Sequence, residues 1–145
     1  MLRQLLLGTA VSAGNIVIHA AVMAAIVRVT RASETIVPAR PWLHLIAIMI
    51  ATVSILMIAH ISEVIVWSLA YAMVDAAPAG TDRVYFAFVN YTTLGYGDII
   101  PQKRWQLLGP MTAMNGVLLF GWSTAVIFQV LRGTMRRNTS LETFG

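Results

Sequence analysis

The sequence predicts an all-α membrane protein: three spanning helices, with a short re-entrant helix and an extended glycine-containing segment between the second and third. Three observations carry this. Apolar residues make up 58% of the 145 and charged residues only 11%, against about 25% charged in an ordinary soluble domain. The charges are also segregated: no Asp, Glu, Lys or Arg occurs between Gln4 and Val27, between Pro41 and Ser62, or between Trp105 and Leu131. Each stretch has about 20 residues or more, enough for a helix to cross a hydrocarbon core of about 30 Å. Finally, residues 92–98 read Thr-Thr-Leu-Gly-Tyr-Gly-Asp. Glycines on both sides of a tyrosine ruin a helix and weaken an ordinary strand, so this segment serves a special backbone shape.

The first span is expected near 5–27. Arg3 before a run of leucines resembles a signal peptide, but the apolar region is too long and is interrupted by Gly14, Asn15 and His19, so a retained helix is the better reading. Gly8, Ser12, Asn15 and His19 share one face at spacings of four, three and four, a small and polar seam for packing against the second span or a neighbouring subunit. Packing is also the first reading of His19, His44 and His60, with a proton-sensing His19 as the alternative. Arg28 and Arg31 lack the every-third-residue basic repeat of a voltage sensor.

The polar connection over 31–42 holds two prolines and ends on Trp42, a residue suited to the membrane interface. A second span is expected near 42–70, its pattern running on to Met73 before "DAAPAG" (75–80) breaks it, so that it tilts or projects. In the loop that follows, Thr81 is the expected N-cap of a helix over "RVYFAFVNY", about three turns and too short to span. Apolar yet short, it belongs at membrane depth inside protein or along a water-filled cavity. The third span is expected near 106–130, with too few residues after Leu131 for a further domain.

The basic residues are juxtamembrane, so the net charge of +4 reads as topology or anionic-lipid contact and not as nucleic-acid binding. Arg28, Arg31 and Arg40 share a side with Arg132, Arg136 and Arg137, six against the four of Arg3, Arg83, Lys103 and Arg104. That bias places the N-terminus outside and the C-terminus in the cytoplasm. No cysteine is present, which excludes disulfides and cysteine metal sites. No catalytic constellation appears, and the reading is of a protein that is not an enzyme and needs no cofactor.

Thr93-Leu94-Gly95-Tyr96-Gly97-Asp98, preceded by Thr92 and a short apolar helix and followed by Pro101 and Trp105, resembles the pore domain of tetrameric potassium channels. The likeness covers about residues 42–130, as a prokaryotic-type two-helix pore-loop domain with one extra N-terminal helix. It divides the chain into the first helix and its cytoplasmic loop (1–41), the pore domain (42–131) and a short cytoplasmic tail (132–145). It implies a selectivity filter in which the carbonyls of Thr93, Leu94, Gly95 and Tyr96 and the Thr93 hydroxyl hold potassium ions, Gly95 and Gly97 take left-handed conformations, and Tyr96 turns away from the axis to brace the filter. It implies a four-fold symmetric homotetramer, since one chain carries one filter, in a plasma membrane such as a prokaryotic inner membrane. The expected partners are three further copies and the lipid bilayer, with no nucleic acid and no soluble partner. Alternatives are a non-conducting structural or regulatory subunit of a membrane assembly, and a potassium uptake transporter of related type. The latter usually keeps one filter glycine and carries four pore loops in a longer chain.

The sequence departs from the family where some members place a Glu four residues before the filter Thr; here Val89 stands there. Glu63, about 31 Å along the second span from Trp42, is the expected substitute, contacting Asn90, Tyr91 or the Asp98 region; the competing readings are an acid at the outer interface or one paired with His60. Thr92, Asp98, Tyr85 and Asn90 complete the expected filter support, with Tyr85 and Phe86 in the position of an aromatic cuff. By counting through the match, Leu118, Gly121 and Ala125 are expected to line a cavity and Gln129 to lie near a cytoplasmic constriction. Gly116 and Gly121 are hinge candidates, with close helix packing as the competing reading. Asn115 is expected to hydrogen-bond a neighbouring helix.

Overall fold

The computed structural model describes residues 1–32 and 40–143, with side chains for 1–30 and 40–136. Most of the polar connection after the first helix lies outside that set. Among the described residues four α-helices follow one another: α1 (Leu2–Ala32), α2 (Pro41–Val74), α3 (Arg83–Tyr91) and α4 (Leu108–Thr143). A single 3-10 turn at Lys103–Trp105 precedes α4. Trp105 stands in that turn, ahead of the last helix. Among the described residues three helices are long and apolar enough to cross a membrane, over Leu2–Thr30, Pro41–Val74 and Lys103–Arg136. All three run further than the uncharged stretches alone predict, because Arg and Lys at helix ends reach back to the interface at little cost.

α2 starts at a proline in its first turn, where the missing N–H costs nothing. It stops at Asp75, whose φ of 56° is left-handed, and Gly80 (φ 78°) turns the chain toward α3. α3 is capped by Asp82, not Thr81: the Asp82 carboxylate accepts from the backbone N–H groups of Val84 and Tyr85. A carboxylate also suits the positive end of the helix dipole better than a hydroxyl.

Packing falls into layers along the bundle. Trp67, Tyr71, Phe86, Tyr91 and Leu108 form an apolar cluster around α3, joined by Leu7 and Val11 of α1. Met23, Ile26, Leu56, Val126 and Val130 form a second one further along α1, α2 and α4. Between them lies a buried polar layer: Asn15 and His19 from α1, Glu63 from α2, Asn115 and Ser123 from α4. The predicted seam is thus the inner face of α1, turned toward α2 and α4 of its own chain, and Met23 and Ile26 extend it. Gly8 lets Met111 of α4 pack close against α1: a Cβ there would lie 2.5 Å from the Met111 sulfur, and that flexible side chain would have to move.

Candidate functional site

α3 buries Phe86, Ala87, Val89 and Tyr91, and the Phe86 ring packs 5.0 Å from that of Tyr71. Its C-terminal end is closed by two backbone bonds, Thr93 N–H to the Asn90 carbonyl (3.1 Å) and Leu94 N–H to the Val89 carbonyl (3.0 Å). That pair, with a left-handed residue just past the cap, is a Schellman motif. The left-handed residue is usually Gly. Here it is Thr93, with φ 60°, a conformation that costs a β-branched residue about 1–3 kcal/mol. The helix stop and the start of the Thr93–Asp98 hexad are therefore one residue.

Gly95 (φ 54°) and Gly97 (φ 78°) continue the pattern, while Leu94 and Tyr96 keep negative φ. In a strand successive carbonyls alternate sides. Reversing φ at every second residue instead keeps successive peptide groups facing the same way. The segment from Thr93 to Gly97 has the backbone from which a row of carbonyls on one side is made. Thr92 donates its hydroxyl to the Phe88 carbonyl and so belongs to the helix cap.

The segment 92–98 is exposed on the single chain. Leu94 is 53% and Tyr96 70% exposed, so Tyr96 does not brace the segment within its own chain. Asp98 is held by the Tyr85 hydroxyl, which donates to Oδ2 at 3.1 Å; that bond to a carboxylate pushes the Tyr85 phenol above its usual range. After the segment, Gln102 N–H donates to the Ala76 carbonyl at 2.9 Å, tying this loop to the end of α2.

Glu63 does not reach Asp98 or Asn90. Its carboxylate meets His19 Nδ1 at 2.7 Å and His60 Nδ1 at 3.0 Å, and accepts from the Tyr91 hydroxyl. It supports the inner end of α3, and Tyr85 takes the place at Asp98. Of the contacts expected for Glu63, those with Tyr91 and His60 are present together, and the side chain is fully buried inside the chain, not set at an interface. Asn90 turns its amide to the Phe86 carbonyl (2.8 Å) and lies over Gly109 of α4. Ser123 is a member that sequence reasoning missed: its Oγ lies 2.9 Å from His60 Nε2 and 3.3 Å from His19 Nε2. The available signal was its position eight residues after Asn115, on the same helical face.

His19, His60 and Glu63 are the one group among the described residues whose composition and spacing suit a metal ion. Each imidazole, however, meets a different carboxylate oxygen at hydrogen-bonding distance, whereas a shared ion would draw both nitrogens toward one point at about 2.0–2.1 Å. The arrangement is a hydrogen-bonded ring.

On α4, a Cβ at Gly116 would lie 2.0 Å from the Tyr91 carbonyl oxygen. Gly116 is a contact point for the end of α3, and α4 runs through it unbroken. Gly121, with nothing near its Cβ position, shares an exposed face with Leu118, Ala125 and Gln129. Asn115 bonds two other helices, accepting from Asn15 (3.0 Å) and from the Trp67 indole (2.9 Å).

A short capped helix, ending against the middle of the last spanning helix and followed by a segment of alternating handedness, defines a multi-pass membrane protein of the pore-loop class. The chain belongs to the ion channel family: the family model described as "Ion channel" matches residues 59–133. That stretch runs from the middle of α2 through α3 and the hexad into α4. No curated protein and no solved structure matches the chain.

Proposed function

We propose that this ion channel protein is potassium-selective and works as a homotetramer. The observation that carries the reading is the alternation of left-handed φ at Thr93, Gly95 and Gly97 inside Thr-Thr-Leu-Gly-Tyr-Gly-Asp. Potassium channels replace the hydration shell of the ion with rings of backbone carbonyls from four such loops. The carbonyls of Thr93 to Tyr96, with the Thr93 hydroxyl, are the ligands in this reading. One chain supplies a quarter of each ring. Four-fold assembly also gives a use to the exposed Leu94 and Tyr96, and to the face of Leu118, Gly121, Ala125 and Gln129, which would line the cavity below.

Vesicles containing the purified chain should pass potassium and rubidium far faster than sodium, and barium should block them. Equal permeability to sodium and potassium sinks the reading. The N-terminus is proposed to lie outside and the C-terminus in the cytoplasm of a plasma membrane. Single-cysteine labelling at each end tests this in a chain that has no cysteine of its own; both ends on one side refutes it.

A further inference from the structure

α1 lies outside the residues that the family model matches, yet it is bonded to that region at three heights. Near its start the Gln4 side chain accepts from the Leu107 N–H at 2.9 Å, just ahead of α4. Further along, Asn15 donates to Asn115 Oδ1 of α4 at 3.0 Å and to the Glu63 carbonyl of α2 at 3.2 Å. One turn on, His19 Nδ1 lies 2.7 Å from Glu63 Oε1, and its Nε2 lies 3.3 Å from Ser123 Oγ of α4. Two of these contacts fall on one residue. α1 grips Glu63 at its backbone carbonyl through Asn15 and at its carboxylate through His19, and all three residues are fully buried.

Holding α1 against α2 and α4 needs none of this, since Met23 and Ile26 already pack with Leu56, Val126 and Val130 through apolar contacts. What the polar contacts add is orientation. A buried polar side chain is confined to the rotamer that satisfies it, because any other leaves a polar atom without a partner. The group so confined is the Glu63 carboxylate, whose two oxygens lie in one rigid plane. With His19 on Oε1, the other oxygen faces the Tyr91 hydroxyl and His60 Nδ1. Tyr91 is the last residue of α3, and a Cβ on Gly116 would collide with its carbonyl. Two residues on, Thr93 takes its left-handed φ.

We infer that His19 and Asn15 are positioning residues for the pore loop: α1 aims the Glu63 carboxylate at the Tyr91 hydroxyl and so fixes where α3 ends and the hexad begins. Neither residue bonds to the hexad. They act through Glu63, one on its carbonyl and one on its carboxylate, and the role depends on where these atoms lie. That the end of α3 governs transport rests on the reading of Thr93 to Gly97 as the ion path; that α1 fixes it does not.

The test is amide hydrogen exchange of the detergent-solubilised full chain, read at Thr93 and Leu94, with ion flux from vesicles alongside. In the parent these two amides are protected by their bonds to the Asn90 and Val89 carbonyls. His19→Phe keeps a flat ring and deletes both polar contacts, so exchange at Thr93 and Leu94 should rise about tenfold, the effect of one lost buried hydrogen bond. His19→Asn carries an amide about where Nδ1 lies, within reach of Oε1, and should exchange close to the parent. Tyr91→Phe removes the far end of the same route, so His19→Phe/Tyr91→Phe should exchange no faster than Tyr91→Phe alone. Asn15→Ala leaves the carboxylate contact in place and should raise exchange at both amides by less; it provides the readout if His19→Phe does not fold. In His19→Phe, flux should decay sooner than in the parent at low potassium and persist at high potassium. If the channel does not select potassium, the difference between potassium levels disappears from parent and variant alike, while the exchange result stands. Faster exchange confined to α1, α2 and α4, with Thr93 and Leu94 unchanged, would make α1 a packing helix only and overturn the proposal. Additive effects in the double variant, His19→Asn exchanging as fast as His19→Phe, or parent-like exchange at both amides in Asn15→Ala would each overturn it too.

Discussion

The segment 92–98 and the polar layer behind α3 lie close along the chain yet are built in opposite ways. The segment is exposed, with its shape written in φ angles. The polar layer is buried, closed by partners from four helices, and independent of any special backbone. The contrast teaches where each kind of substitution should act. Behind α3 a substitution changes folding first and transport as a consequence. In the segment it changes transport while the fold survives.

The largest expected effect is therefore at the contact between the two. Gly116→Ala drives a methyl into the Tyr91 carbonyl, 2.0 Å from the Cβ position. Overpacking against backbone costs about 1–3 kcal/mol or more, so melting should fall steeply or assembly fail. Gly121→Ala, with open space around it, is the control and should melt like the parent. Equal melting of the two variants would break the distinction.

Next comes Gly95→Ala. Its Cβ would meet nothing closer than 3.8 Å, from the Thr93 carbonyl oxygen, so the penalty is conformational, about 1–3 kcal/mol for a left-handed non-glycine residue. The folded chain should remain, and potassium flux or selectivity should be lost. Unfolding without a selective loss of flux would show that the segment is not separate from the core.

Tyr85→Phe is expected to be milder. It deletes the hydroxyl that holds Asp98 at an exposed position, so melting should stay near that of the parent. Flux should instead decay sooner in low potassium, when the segment is least supported from within. Glu63→Gln, measured beside it, should act on melting first. The two variants in reversed roles would mean that Glu63, and not Tyr85, supports the outer end of the segment.

The fold was legible because its signals are local. Charge-free stretches longer than about 20 residues require spanning helices whatever they pack against. A short apolar helix followed by Gly95 and Gly97 required a re-entrant loop, and the family likeness carried by Thr93 to Asp98 agrees with the matched region. The spacing of Gly8, Ser12, Asn15 and His19 likewise identified a packing face, because helical periodicity alone assigns residues to faces.

The tertiary structure decided which face met which. Glu63 has the same local sequence whether it braces Asp98 or Tyr91; the choice was made by the crossing of α1, α2 and α3, which brings His19 and Tyr91 to it from 44 and 28 residues away. Ser123 carries no mark in the sequence beyond a small polar side chain, and its role exists only because two imidazoles converge on it. Thr93 shows the same limit in the backbone. Its left-handed φ runs against its own preference and is held by the Schellman bonds to Asn90 and Val89. Spacing along one helix is a property of the sequence. The partner of a buried polar group depends on the distances between helices, which packing alone determines.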